Sequence, residues 1–233
     1  LRFTVPETEE GDEETDLATS SLSPVSLALR AADAEDGLLT VTSTDALGEA
    51  LSVALGLSRA GRQAEEPVLA PDGSYADYRN ALGRERALRV LPRADGFKTY
   101  LILPDRPAAN EVSFTLDAGE LTMTTELDGS VTLRDTAGLV YGRITRPMLL
   151  DSSDLEGNGG GVRANAVTLT VTPAADEESD DVLTLTIDRE LLAEAGARAV
   201  GEPARAAGDV ADRRQHPGRA LGRMALPQAF LQP

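Results

Sequence analysis

The chain has 233 residues, a net charge of −17 and no cysteine, so it can bury a large core but forms no disulfide or thiolate metal site. The acidic excess argues against binding to nucleic acid or to an anionic membrane surface, because both need basic side chains. His216 is the single histidine, which disfavours a Ser-His-Asp triad and a histidine metal cage. No apolar run reaches the roughly 20 residues that a membrane-spanning helix needs.

The first segment, residues 1–20, is strongly acidic. It begins at Leu1 without an initiator methionine or a signal peptide, which predicts a processed product or a fragment. Seven of the ten residues 7–16 are acidic, and such a block repels itself and buries little apolar surface. We therefore predict a disordered lead-in.

Residues 21–73 form a predicted N-terminal β-rich part that ends in a loop. Apolar and polar residues alternate with period two in residues 25–29 and 39–42, which is typical of half-buried strands. Residues 50–57 alternate less cleanly and fit either a strand or a short helix. Proline and glycine in residues 59–73 indicate a long loop or a junction.

Residues 74–195 form a predicted β-rich module, in which strands follow one another at short intervals. The Asp128-Gly129 pair predicts a type I′ hairpin turn. A short helix is predicted over residues 188–195, with Asp188 as its N-cap. Inside–outside alternation favours antiparallel sheets, so the fold class is all-β or β-rich, an antiparallel β-sandwich-like meander with at most one or two short helices. The predicted strands are residues 99–103, 111–116, 121–127, 131–133, 140–145, 167–172 and 182–187.

Residues 196–233 are rich in alanine, arginine, glycine and proline, and neither hydrophobic period continues there. A basic tail is one interpretation. We favour translation of a GC-rich gene in a shifted reading frame, which predicts a segment without a core of its own.

A glycine-rich loop supplies the one candidate metal site. Asp151, Asp154, Glu156 and Asn158 place oxygen ligands in residues 151–161, which suits calcium. The spacing does not match an EF-hand, and a glycine-rich connection between strands explains the same residues.

Three further patterns each have a plain structural explanation. Paired carboxylates could hydrolyse glycosides, but in so acidic a chain pairs are expected anyway. Residues 75–80 contain two tyrosines, which fit a ligand site or an anchor between a loop and a sheet. A threonine ladder could order water or bind a repetitive ligand, although threonine also suits the wet face of a sheet; its members are Thr168, Thr170, Thr172, Thr184 and Thr186.

Several segments of residues 75–195 resemble a β-rich module found upstream of RHS/YD repeats or DNRLRE modules in large secreted bacterial surface proteins, some of them polymorphic toxins. Two regions depart from that pattern: the arginine-rich residues 83–93, and residues 196 onward, which lack the family's closing strand. Both departures look like shifted-frame sequence, and a missing strand would leave an exposed sheet edge. The segments that carry the resemblance are residues 78–82, 94–103, 106–116, 128–131, 134–135, 148–153, 183–188 and 191–192.

The resemblance implies a non-catalytic structural or interaction module at the bacterial cell surface. It implies no catalytic residues. The expected partners are the remainder of a larger parent polypeptide and cell-wall or surface glycans. Two alternatives stay open: a calcium- or carbohydrate-binding adhesin domain that uses the loop at Asp151, and a glycoside hydrolase with paired carboxylates.

Overall fold

The alternating segments of the chain fold as antiparallel strands in two sheets in the computed structural model. Every strand pair among the described residues is antiparallel, which confirms the predicted all-β, sandwich-like fold class. The structure describes residues 1–5, 18–22, 25–32, 34, 37–44, 50–57, 66–83, 86–93, 96–103, 110–151, 162–163, 166–176, 179–190, 222–225 and 229–231.

One sheet has seven strands, and its inward face is built from leucine, valine and phenylalanine at alternate positions. Residues with buried side chains alternate with exposed or half-buried ones, as a sheet with one wet face requires. In spatial order its strands are β1 (Ala18–Leu22), β2 (Val25–Leu29), β3 (Leu39–Thr44), β4 (Ala50–Leu57), β9 (Glu111–Asp117), β16 (Asp181–Ile187) and β15 (Val167–Thr172).

The other sheet has eleven strands, among them a hairpin extension that pairs with one side of its longest strand. The extension consists of β5 (Val68–Leu69), β6 (Ala76–Arg79) and β7 (Ala87–Arg93), and β7 pairs with β8 (Gly96–Leu103). The remaining strands are β10 (Thr122–Thr125), β11 (Val131–Arg134), β12 (Val140–Ile144), β13 (Met148–Asp151), β14 (Val162–Arg163), β17 (Gly222–Ala225) and β18 (Ala229–Leu231).

A hydrophobic core built from the described residues lies between the two sheets. Leu29, Leu39 and Leu57 contribute to it from the seven-stranded sheet, and Leu88 and Leu101 from the eleven-stranded sheet, each with 0 % exposure. The region before residue 73 and the region after it share this core, because β4 pairs with β9.

The strands predicted from period two are present, and residues 50–57 form a strand rather than a helix. The hairpin predicted at Asp128-Gly129 is confirmed, but the prediction of a type I′ turn is wrong. Gly129 adopts φ 80°, while Asp128 keeps a negative φ. The Gly129 N–H donates to the Glu126 carbonyl (2.9 Å) and the Glu126 N–H to the Ser130 carbonyl (2.8 Å), so the turn is a three-residue loop with a glycine bulge. Leu127, predicted to end the strand, is instead fully exposed in this turn.

The arginine-rich segment that departs from the resembled family contains β7, which the sequence analysis did not predict. Leu88 and Val90 are fully buried on one face, while Arg89 and Leu91 are half-buried on the other. Pro92 lies beyond the last residue paired with β6, Val90, so its missing N–H removes no bond to that strand.

Two short strands from residues 196–233 pair with the eleven-stranded sheet, although neither was predicted. β17 pairs with β8 on one side and β13 on the other. β18 pairs with β12 and with the first residues of β8. The other residues of this segment lie outside the described part of the chain. The shifted-frame hypothesis therefore stays a prediction.

Both ends of the predicted lead-in take part in the fold, whereas residues 6–17 lie outside the described residues. Phe3 is buried, with 3 % exposure, and its N–H donates to the Gly73 carbonyl at 2.7 Å. Thr4 forms an isolated bridge with Thr19 of β1. At the predicted helix, Asp188 Oδ1 accepts a hydrogen bond from the Glu190 N–H at 2.8 Å, as an N-cap does; residues 191–195 are not described.

Candidate functional site on the outer face of the eleven-stranded sheet

The candidate site is a row of polar and aromatic side chains across β6, β7 and β8. Asp77, Arg89 and Tyr100 lie directly opposite one another in the strand register. Their neighbours along each strand are buried in the core, so period-two geometry turns these three side chains outward. We name this row, together with Tyr75 and Lys98, the Tyr–Arg face.

A two-point ion pair forms the centre of the Tyr–Arg face. Arg89 Nε lies 2.7 Å from Asp77 Oδ1, and Arg89 Nη2 lies 2.8 Å from Asp77 Oδ2. The side chains are only 23 % and 14 % exposed, so water screens the pair less than it screens a surface ion pair. The hydrogen bonds that Arg89 donates to Asp77 raise the pKa of Arg89 above its ordinary value, against a smaller lowering by burial.

Each aromatic ring of the Tyr–Arg face carries a cation over it. The guanidinium carbon of Arg89 lies 3.8 Å from the centroid of the Tyr75 ring, and Lys98 Nζ lies 4.9 Å from the centroid of the Tyr100 ring. Both distances are within the range of a cation–π contact. Each cation therefore occupies one face of its ring.

Tyr78, the second tyrosine of residues 75–80, points the other way and links the two sheets. Its side chain is fully buried, and its hydroxyl lies 2.7 Å from the Arg30 carbonyl oxygen and 2.8 Å from that of Leu38. Burial raises the pKa of this phenol well above its ordinary value of 10.0. The anchoring role considered from the sequence therefore applies to Tyr78, while Tyr75 belongs to the Tyr–Arg face.

The hairpin turns of β10, β11 and β12 hold two more polar clusters. In one, Glu126 Oε1 accepts hydrogen bonds from Thr132 Oγ1 at 2.7 Å and from Arg134 Nη2 at 3.1 Å. The hydrogen bond from Thr132, followed by that from Arg134, lowers the pKa of the Glu126 carboxyl.

The second cluster is built around Asp128 in the turn itself. Asp128 Oδ1 accepts from the Ser130 hydroxyl at 2.6 Å and from the Ser130 N–H at 3.0 Å. Arg143 pairs with the other carboxylate oxygen. The bonds from Ser130 are the main cause of the lowered pKa of Asp128, so both clusters hold their carboxylates in the ionised form.

The threonine ladder lies on the outer face of the seven-stranded sheet. Thr168 faces Thr186, and Thr170 faces Thr184, across the β15–β16 ladder. Thr184 Oγ1 also lies 3.1 Å from the Ser113 hydroxyl on β9, and Thr170 Oγ1 donates to the Thr184 carbonyl at 3.3 Å. The hydroxyls of Thr170 and Thr184 therefore bond to groups within the sheet.

The calcium candidates are not brought together in the described residues. Asp151 ends β13, and Asp154, Glu156 and Asn158 lie outside the described part of the chain. Across the residues that the structure describes, no group of three acidic or histidine side chains could hold a metal ion. The calcium site stays a prediction.

Sequence reasoning missed Arg89 and Tyr100 as members of a site. The signal was the alternation of residues 87–93, in which Leu88 and Val90 flank Arg89, but their arginine content obscured it. That Arg89 faces Asp77 follows from the register of β6 and β7, which the sequence alone does not reveal.

Comparisons of the chain with protein-family models, curated proteins and solved structures found no match. Within its described residues, the structure contains no helix of the length and apolarity that crossing a bilayer demands.

Proposed function

We propose that this chain is a structural or interaction module of a secreted bacterial surface protein, without catalytic activity of its own. The observation that carries the proposal is the Tyr–Arg face, where Asp77, Arg89 and Tyr75 bind one another. Such contacts between side chains on neighbouring strands stabilise a sheet. The resemblance of residues 75–195 to modules of large bacterial surface proteins supports the location.

The ionisation of the carboxylates supports the same proposal over a glycoside hydrolase. A retaining or inverting glycosidase needs one carboxylic acid with a raised pKa to protonate the leaving group. Among the described carboxylates whose pKa is shifted, Asp72, Glu126 and Asp128 are all shifted downward by hydrogen bonds. That direction is opposite to the one required of a general acid.

Replacing Arg89 by alanine tests the structural role of the Tyr–Arg face. We expect the free energy of unfolding to fall by about 1–2 kcal/mol, because a half-buried carboxylate loses two hydrogen bonds and Tyr75 loses its cation. Urea denaturation followed by circular dichroism measures the change. Arg79→Ala is the matched control, since Arg79 is exposed on β6 and its removal should cost less than about 0.5 kcal/mol. Equal losses in the two variants would contradict the assigned role.

Two experiments test the location and the lack of catalysis. Antibodies against the folded chain should label intact cells of the bacterium that encodes it, and labelling only after permeabilisation would contradict the surface location.

The purified chain should release no reducing ends from a panel of α- and β-linked glycans. Hydrolysis that is abolished by Glu126→Gln or Asp128→Asn would overturn the non-catalytic proposal.

A further inference from the structure

Sheet edges expose unpaired N–H and C=O groups, and the described edges of this protein differ in how they are protected. Short length, charged neighbours and covering segments are common protections. β5 and β14 have only two residues each. β10 has four residues and is flanked by Glu120 and Glu126, and β1 is bridged by Thr4.

Among the described residues, β15 has none of these protections. It is six residues long, with the sequence Val-Thr-Leu-Thr-Val-Thr, and it contains no charge and no proline. Its register with β16 runs without a bulge. No described strand pairs with its other edge, and β10, which approaches it from the opposite sheet, forms no ladder with it.

We propose that β15 pairs with β15 of a second copy of this chain, so that the seven-stranded sheet continues across a two-fold axis. A two-fold interface must be self-complementary, and in an antiparallel pair residues directly opposite share a sheet face. Pairing centred on Leu169 sets Thr168 opposite Thr170. Pairing centred on Thr170 sets Leu169 opposite Val171. In both registers inward apolar residues meet apolar residues and threonine meets threonine, which are favourable cross-strand pairs.

β15 itself adds no charge repulsion to the pairing of two copies. Two chains with a net charge of −17 repel each other, so close approach is least costly where the backbone edge carries no charge. Val167–Thr172 is such a segment within a chain that is 26 % charged. This inference concerns self-association only and stands whether or not the proposed surface location is correct.

Sedimentation velocity of the full chain over a range of concentrations tests the proposal. The wild type should form a dimer as concentration rises, and Thr170→Lys should remain a monomer, because the long cation lies beside the pairing edge of each copy. Since the new lysine reduces the net negative charge, general repulsion would change in the opposite direction. Ser26→Lys, an exposed position on the inner strand β2 of the same sheet, is the matched control and should dimerise like the wild type.

Three results would contradict the pairing of two copies at this edge. A wild type that stays monomeric at about 100 µM, or a Thr170→Lys variant that dimerises normally, overturns the proposal, as does equal loss of dimer in Ser26→Lys.

Because the chain has no cysteine, Thr170→Cys then reports the register. Oxidation should cross-link the dimer if pairing is centred on Thr170, since a disulfide needs Cα atoms about 4.4–6.8 Å apart. Pairing centred on Leu169 predicts instead that mixed Thr168→Cys and Thr170→Cys chains cross-link; cross-linking in neither experiment would contradict both registers.

Discussion

Replacing Tyr78 by alanine is expected to lower the free energy of unfolding by about 3–5 kcal/mol. The change empties the volume of a fully buried aromatic ring between the sheets. It also removes the hydroxyl that reaches the carbonyl oxygens of Arg30 and Leu38. Urea denaturation at neutral pH measures the effect, and an unchanged slope with denaturant would show that the compactness of the two states is preserved.

Tyr78→Phe separates the hydroxyl from the ring. We expect this variant to lose about 1–2 kcal/mol, the cost of withdrawing a buried hydrogen-bond donor. Tyr100→Phe is the control, because Tyr100 is half-exposed on the Tyr–Arg face, and it should change stability by less than about 0.5 kcal/mol. If Tyr78→Phe were as stable as the wild type, the hydroxyl would not be what joins the sheets.

The wild type and Tyr78→Phe should also differ in how their stability changes at alkaline pH. The pKa of Tyr78 is raised in the folded state, so above the unfolded value of about 10 the unfolded chain releases a proton that the folded chain retains. The stabilisation from the neutral phenol is complete below pH 10 and declines above it by about 1.4 kcal/mol per pH unit. Tyr78→Phe should lack this contribution to the slope, and parallel profiles above pH 10 would contradict the raised pKa.

Replacing Leu88 by alanine is the second large expected effect, a loss of about 2–5 kcal/mol. Leu88 has 0 % exposure, and truncating it leaves a cavity against the core. For a chain of this length the loss corresponds to a fall in Tm of several degrees, since each kcal/mol is worth about 2–4 °C. Calorimetry or circular dichroism would measure it.

Leu91→Ala is the matched control for Leu88→Ala. Leu91 lies on the same strand but faces outward and is half-buried, so its truncation should cost under about 1 kcal/mol. A large difference between the two leucines would establish residues 87–93 as a genuine strand of the folded protein. Similar small losses would indicate that the arginine-rich segment does not pack as described.

Local pattern predicted the strands whose alternation is uninterrupted. Val25–Leu29 and Val167–Thr172 have the predicted bounds. In a strand with one solvent-exposed face, apolar and polar residues alternate, and this alternation is visible in the sequence. β7 was missed since two of its outward positions, Arg89 and Arg93, are arginine and its end contains Pro92. β17 and β18 were missed since they are short, and their pairing with β8 comes from residues distant in sequence.

The candidate site was only partly predictable for the same reason. Residues 75–80 were singled out for their two tyrosines. Alternation indicates that Tyr78 faces inward, but it does not predict which groups the Tyr78 hydroxyl contacts. Arg89 becomes the partner of Asp77 through the register of two strands, which depends on the whole hairpin. The turn at Asp128-Gly129 shows a similar limit: the dipeptide located the hairpin, while the contacts of Asp128 with Ser130 and Arg143 accompany a different turn type.

The position of β17 and β18 beside β8 has a consequence for how the protein is made. During synthesis from the N-terminus, β8 acquires β7 at once, yet its other edge waits for strands that follow roughly 120 residues later. Until they arrive, β8 carries an open edge of the kind that recruits foreign strands. The eleven-stranded sheet is therefore completed last, and a chain halted before residue 222 would carry an open edge in the centre of that sheet rather than at its margin.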